Sequence, residues 1–550
     1  MKNRSTTICY QNSQASIAII PMKNPLPRLF SAALLASLCL SGELLAEVIP
    51  NALFGDNAVL QQGRRVPVWG SAEEGEKVTV SFGEQKAEIV TKDGKWMVWL
   101  DPMKANSNPQ TMTIAGANNT VTLSNVLVGE VWVCSGQSNM EWKLSRLVDP
   151  GTKRGTPQKW QQDVAAADYP EIRHLTVPHQ SSKSPLSNLD AKWEICSPQT
   201  IPDFSAVGYY FGRDLHRELK VPIGLIHSSW GGTLAEAWTR HEALSSNPAL
   251  ASILKRYASY VESFPKRLAQ YKAKEADLLA EHQKACIQAE KEGKEPPRAP
   301  APPHDPHTYH NVPSRLYNGM INPLLPYAIQ GVIWYQGESN SGAADVYRNL
   351  FPALIADWRA QWGQGDFPFL FVQITPHNNM TPEIREAQFL TLGKASNTAM
   401  AVTTDVGDAQ NIHPIKKEPV GQRLALAARA IAYAQPIEYS GPLYKSAQIN
   451  GNSMTISFDH TGTGLLAQDG PLKGFAIAGE DKVFVPAQAE IKGETVVVTA
   501  PQVTNPIAVR YGWANVPEVN LYNQEGLPAS PFRTDDWKTQ PASVKPSPTP

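Results

Sequence analysis

Ser138 lies in Gly136-Gln137-Ser138-Asn139-Met140, directly after the apolar run Val131-Trp132-Val133. A serine at a strand's end, where a helix begins, exposes its hydroxyl beside backbone N–H groups that favour a growing negative charge. Such a serine becomes a nucleophile only if a base reaches it. His413, in Asn411-Ile412-His413-Pro414, is the candidate base, held in a loop by the following proline. His227 is a competitor, but it sits before a glycine pair and reads as a residue that orients that loop. The oxyanion of an acyl-transfer reaction needs N–H donors. Gly232 in Trp230-Gly231-Gly232-Thr233, the side-chain amide of Gln336 and the Ser138 N–H could supply them. Each group also has a plainer reading: a helix cap for Ser138, a tight turn for Gly231-Gly232, a loop hydrogen bond for Gln336. The motif is not the G-x-S-x-G elbow, because Met140 stands where the second glycine would be. His304, His307 and His310 are spaced like metal ligands. They sit in a Pro-rich stretch with only Asp305 nearby, so no metal is assigned to them.

These residues must be positioned by elements that the chain's patterning suggests. Strand-like runs rich in Val, Thr and aromatics fill 47–127, separated by turns such as EEGE and KDGK, and suggest a β-sandwich. From 128 to 240 and again from 313 to 438, buried strands alternate with helical stretches. VWVCSG, VPIGLIHSS, GVIWYQGESN, FPFLFVQIT and AMAVTTDVGD are the strands; YYFGRDLHREL, YRNLFPALIADWRAQW and GQRLALAARAIAYA are helical. That alternation implies an α/β fold with a parallel sheet covered on both faces, with ligands at the carboxyl ends of its strands. The polar motifs all fall there. Residues 241–312 interrupt the pattern with a charged helical stretch, read as a surface hairpin or arm, and a Pro-rich linker. A second β-domain spans 439–536, and 537–550 is a Pro/Ser-rich tail expected to be disordered.

The 550 residues carry 50 Lys plus Arg against 51 Asp plus Glu, a net charge of −1, which argues against a protein built to grip nucleic acid. Leu29 to Leu40 is an apolar run of signal-peptide length, preceded by Lys23 and Arg28, with Ala46 as a plausible cleavage point. Residues 1–46 are therefore read as a leader, with translation starting at Met22. Cys39 follows the bulky Leu38, which disfavours a lipid anchor. No later run is long enough to span a bilayer, so the expected location is periplasmic or extracellular. In an oxidising compartment Cys134 and Cys196 are the expected pair. The alternative is that they and Cys286 stay buried thiols.

The blocks GEVWVCSGQSNMEW, IGLIHSSWGGTLAEAW, LYNGMINPL, GVIWYQGESN, IREAQ and NIHPIKKEPVGQRLALAA follow one another in order. In this the chain resembles the sialate O-acetylesterase family of SGNH-type carbohydrate esterases. LFGDNAVLQQG…VPVWG and VRYGWANVPEVNLYNQEGLPASPFRTD resemble that family's flanking domains. The resemblance implies a flavodoxin-like three-layer α/β/α catalytic domain between β-sandwich-like domains. It implies Ser138 as nucleophile, His413 as base, Gly232 and Gln336 as oxyanion donors, and Arg385 and Gln388 facing the site. Asn139 and Trp230 are candidate substrate contacts, and Trp142 and Trp230 could wall the acyl site or stack on sugar. The implied reaction is hydrolysis of an O-acetyl ester on sialic acid or an acetylated oligosaccharide without metal or cofactor. One departure stands out. The position three residues before the histidine, where SGNH enzymes commonly hold the acid, is Gln410. Glu338, Asp408, Asp405 or a backbone carbonyl could orient His413 instead.

Acetylated xylan, xyloglucan and pectin fit the same residues as alternative substrates. A non-catalytic glycan-binding protein and an SGNH lipase or thioesterase are the alternatives of other kinds. With an ordinary imidazole as base, the rate should rise near pH 6.5 or so. Oligomeric state is not readable.

Overall fold

The computed structural model describes residues 47–148 and 157–538. The expected leader and the tail beyond Lys538 lie outside the described residues. The site is organised by one sheet. Its order is Trp193–Cys196, Tyr169–Thr176, Ile223–Ser229, Thr120–Gly136, Gly331–Tyr335, Phe369–Val372, Thr398–Ala401. All neighbours are parallel except the first pair. Strands buried on both faces read as unbroken apolar runs, which is why VWVCS, GVIWY and FLFV were recognisable. Alternate side chains go to opposite faces. Trp132, Cys134, Ile333, Tyr335, Leu370 and Val372 join a core with the helices Ala206–Leu219 and Lys417–Ile431. Val131, Val133, Val332, Trp334, Phe369 and Phe371 join another with the helices Ala344–Trp362 and Pro382–Thr391. The chain is thus mixed α/β.

Thr120–Gly136 is a single strand of 17 residues that runs across residue 127. Its first half pairs antiparallel with Asn106–Ala115, and Leu127–Gly129 pair parallel with Val59–Gln61. From Glu130 onward it is the middle of the parallel sheet. The other N-terminal strands form hairpins around Lys77–Phe82 and a three-stranded sheet of Ile49–Pro50, Val66–Ser71 and Lys95–Leu100. C-terminal strands from Leu443 to Arg533 form two four-stranded sheets and a two-stranded one over their own core.

The insertion contains the short helix His241–Ser246 and then a single helix of 41 residues, Ala251–Lys291, which makes it an arm and not a helical hairpin. Six prolines at 296, 297, 300, 302, 303 and 306 remove successive backbone N–H donors, so the chain returns without regular secondary structure. Its carbonyls are taken by side chains of the helix: Tyr257 donates to Pro306 O, Tyr260 to His304 O and Tyr271 to Pro300 O. The His282 ring nitrogen lies 2.9 Å from Pro297 O.

The expected Cys134–Cys196 disulfide is not formed; both are buried free thiols. Two strands stand between theirs, a lateral spacing alone of roughly 14 Å, twice what a disulfide bridges. Among the described residues no helix is long and apolar enough to cross a membrane.

Candidate active site

The strand Thr120–Gly136 ends where Gly136 adopts φ +137°, and a Cβ there would lie 2.2 Å from Tyr335 O. Only glycine lets the two strand ends approach this closely. Gln137 N–H donates to Tyr335 O at 3.0 Å, and the short helix Ser138–Glu141 begins. Ser138 is half-buried at its first position. His413 arrives from the far side of the sheet, in the loop after Thr398–Ala401. Asp408 Oδ1 accepts the N–H groups of Gln410 and Asn411, and Asn411 Oδ1 accepts that of His413. These turns bring His413 Nε2 to 2.9 Å from Ser138 Oγ, across 275 residues of sequence. The Trp142 ring stacks on the imidazole, centroids 4.6 Å apart at 25°. Burial, then the nearby cations Lys417 and Arg146, push the His413 pKa down to about 4. At neutral pH the ring is therefore uncharged and able to accept a proton.

The strand Ile223–Ser229 delivers the Trp230-Gly231-Gly232 loop to the same place. Trp230 N–H donates to Gly136 O at 3.2 Å. Gly231 N–H is taken by Glu141 Oε2 at 2.6 Å, and a Cβ on Gly231 would lie 3.2 Å from Ser138 Cβ. The following amide, that of Gly232, sits at an exposed position with φ +75°. Glu141 is braced by His179 Nε2 at 3.1 Å. Burial raises its carboxyl pKa, but His179 and the Gly231 amide more than offset this, leaving it lowered.

Several expected site residues are placed behind the reacting pair. Gln336 is fully buried. Its amide hydrogens go to Thr233 O at 3.2 Å and Asn340 Oδ1 at 2.6 Å, so none is left for an oxyanion. Arg385 is fully buried and donates to the carbonyls of Ala514 and Asn515. Gln388 bridges Gln336 O, Val372 O and Ile374 N. Asn139 Nδ2 donates to Glu338 Oε1 at 2.5 Å and Ile412 O at 3.0 Å, while its Oδ1 accepts from Lys417 Nζ. Glu338 is thus engaged with Asn139, Asp405 is bidentate to Arg423, and Asp408 caps the turn. Trp230 is covered on both faces, by His179 at 4.2 Å and His310 at 4.1 Å, both nearly parallel, so neither face is open to a sugar. His227 is buried with Nε2 2.6 Å from Ser229 Oγ.

Sequence reasoning did not single out Glu141, His179, Asn311 or Lys417. Lys417 carried a signal: a lysine in the first turn of a helix opposes the macrodipole. Its burial pushes its pKa down to about 7, against the attraction of Glu338.

The family model described as carbohydrate esterase, sialic acid-specific acetylesterase, matches residues 302–430. The sialate O-acetylesterase of Rattus norvegicus is 31% identical over 519 residues, spanning 84% of this chain and 90% of that protein. The Homo sapiens sialate O-acetylesterase is 29% identical over 517 residues, 84% of this chain and 88% of that protein. Among solved structures, a carbohydrate acetylesterase from Xanthomonas citri matches with a TM-score of 0.74 and 34% identity, covering 89% of this chain and 100% of that one.

Proposed function

The chain belongs to the sialate O-acetylesterase family of carbohydrate esterases, and from that premise we propose that it removes O-acetyl groups from sugars with Ser138 as nucleophile and His413 as base. The observation that carries this reading is the 2.9 Å approach of His413 Nε2 to Ser138 Oγ at the sheet's carboxyl edge. His413 takes the hydroxyl proton as Oγ attacks the acetyl carbon. The oxyanion is held by the N–H groups of Ser138 and Gly232. The C–O bond to the sugar then breaks, the leaving oxygen takes the proton from His413, and acetyl-Ser138 remains. Water, deprotonated by His413, attacks that ester and releases acetate.

Glu338 Oε1 takes the Asn139 amide, Asp405 pairs with Arg423 and Asp408 Oδ1 takes two turn amides, so the proposed mechanism rests on the Ser138–His413 pair itself. Trp142 stacks on the imidazole plane, and the Asn411 turn holds the His413 backbone. The parallel strand order and the two helix-lined cores favour a flavodoxin-like SGNH catalytic domain in three layers. The N- and C-terminal strands are read as flanking β-sandwich domains, and the protein as exported.

The substrate reading is O-acetylated sialic acid. The groups next to the pair are Trp142, Glu141 and His179, with Arg146, exposed, 5.5 Å over the Trp142 ring. An exposed cation beside the ring that stacks on His413 suits a sugar that carries a carboxylate, and these polar groups do not suit a long acyl chain. The test is acetate release from acetylated sialic acid, xylan, xyloglucan and pectin fragments, with Ser138→Ala as control. Release from the sialic acid that vanishes in Ser138→Ala is expected. Undiminished release by that variant overturns the serine mechanism, and preference for a neutral glycan overturns the substrate.

A further inference from the structure

We infer that the inserted arm is a brace for the oxyanion loop, and that Asn311 and His310 at the end of its Pro-rich return are positioning residues for the Gly232 N–H. This rests on Gly232 being the oxyanion donor proposed above.

Gly231 and Gly232 have the widest backbone freedom available, and nothing lies within 4 Å of where a Gly232 side chain would begin. Packing therefore does not aim the Gly232 amide; hydrogen bonds on either side of it must. On one side Glu141, from the same short helix as Ser138, takes the Gly231 N–H. On the other side the partner is Asn311. Its Nδ2 donates to Gly232 O at 3.0 Å, and its Oδ1 accepts the Leu234 N–H at 2.7 Å. One side-chain amide thus engages a C=O and the N–H two residues on, the pair of groups that a neighbouring β-strand would use. The candidate donor lies between these two clamps.

His310, the preceding residue, presses its ring on Trp230 at 4.1 Å and 3°, with His179 on the opposite face. The ring contacts continue outward: His310 to Tyr309 at 4.9 Å, Tyr309 to His304 at 4.1 Å. The return segment that carries these rings is itself anchored. Tyr257 and Tyr260 hold it to the long helix, Arg315 donates to His307 O, and Ser314 N–H donates to Glu236 O. Glu236 also receives Arg256 from the long helix and Asn340 from the loop after Gly331–Tyr335. Helix, return and catalytic sheet therefore meet at one buried residue, Glu236, the return at its backbone carbonyl and the other two at its carboxylate. Through the Pro-rich return the insertion holds the loop at the Gly232 carbonyl and the Leu234 amide.

The experiment uses the full chain with Asn311→Ala, Asn311→Asp, His310→Ala and Ser138→Ala. Four quantities are read: kcat and KM on an acetyl ester, affinity for methylboronic acid, thermal midpoint, and the fraction of chains whose serine reacts with a phosphonofluoridate. Methylboronic acid adds to a serine as a tetrahedral anion whose oxygen occupies the oxyanion hole. Asn311→Ala should lower kcat by about 10- to 100-fold, since a misplaced donor loses most of its effect. KM and the reactive-serine fraction should stay as in the parent, and boronic acid affinity should weaken in step with kcat. Asn311→Asp keeps the acceptor for Leu234 and should fall between. His310→Ala should show the same pattern more weakly. A kcat within about threefold of the parent in Asn311→Ala, beside an inactive Ser138→Ala, overturns the inference and leaves the serine mechanism standing. A loss of kcat matched by an equal loss of reactive serine also overturns it, since that reports misfolding. Full activity in Ser138→Ala overturns the serine mechanism and the inference with it.

Discussion

His413 should remain a competent base far below the pH at which an ordinary imidazole is protonated. An unperturbed histidine would give a rate limb near pH 6.5 or so. Burial, with Lys417 and then Arg146 adding to it, pushes this one down to about 4. At pH 5.5 a base of pKa 4 is about 97% neutral, whereas one of pKa 6.5 is about 9% neutral, so the two cases differ about tenfold in kcat/KM. The assay is acetate release from an acetyl ester between pH 3.5 and about 8, with each sample returned to pH 7 to separate titration from unfolding. The expected profile is flat above about pH 5.5 and falls toward pH 4. Lys417→Met removes one cause of the depression. It is made together with Glu338→Gln so that no lone charge is left buried, and it should move the limb upward. A parent limb at pH 6 or above, or a limb unmoved by the double variant, would refute the reasoning.

Gly136→Ala puts a Cβ 2.2 Å from Tyr335 O at φ +137° and should destabilise by about 2–5 kcal/mol, read as a lower denaturation midpoint; an unchanged midpoint would contradict the close approach. Arg146→Ala should raise KM for an acetylated sialic acid several-fold and leave KM for an acetylated xylo-oligosaccharide unchanged. Acid should destabilise the fold well before the carboxylates titrate. Burial holds His174 and His227 at about 4, below the unfolded value, so the unfolded chain accepts protons that the folded chain refuses. His310 and His413 are held at about 4 as well; this stability is full above pH 6.5 or so and is lost as pH falls toward 4, and near pH 5 unfolding should take up about three to four protons at the four histidines, read from the pH slope of the calorimetric transition.

The parallel strands were legible because doubly buried strands are continuous apolar runs, and Ser138, Gly232 and His413 were legible because each closes such a run or follows one. The rest fails for physical reasons. The strand Thr120–Gly136 changes partners halfway, not pattern, so the sequence TVTLSNVLVGEVWVCSG shows no break. Cys134 and Cys196 flank one segment of chain, but sheet order separates them, and order is set by long-range pairing. Gln336 looks like a site residue because it is polar and sits in a polar motif, and Arg385 and Gln388 because their block resembles the family's. Burial decides instead, and it commits their donors to internal acceptors: Thr233 O and Asn340 Oδ1 for Gln336, Ala514 O and Asn515 O for Arg385, Gln336 O and Val372 O for Gln388. Trp230 has the composition of a sugar platform, yet two histidines remote in sequence cover it.

The Ser138–His413 distance is fixed one residue back from each partner. Asn139 follows the serine, Ile412 precedes the histidine, and Asn139 Nδ2 joins the first to the carbonyl of the second. The same amide stands between Glu338 and Lys417, both buried. Buried ionic groups of this kind commonly add little net stability over apolar replacements, while removing one member strands the others at a cost of about 3–5 kcal/mol. If the network serves position more than stability, the two can be separated. Asn139→Leu alone should lose both stability and activity. Combining it with Glu338→Leu and Lys417→Met leaves no buried charge and should recover much of the denaturation midpoint, while kcat stays reduced because the Ile412 carbonyl is no longer held. A triple variant that regains parent kcat along with its midpoint would show that Asn139 does not set the distance between the hydroxyl and the imidazole.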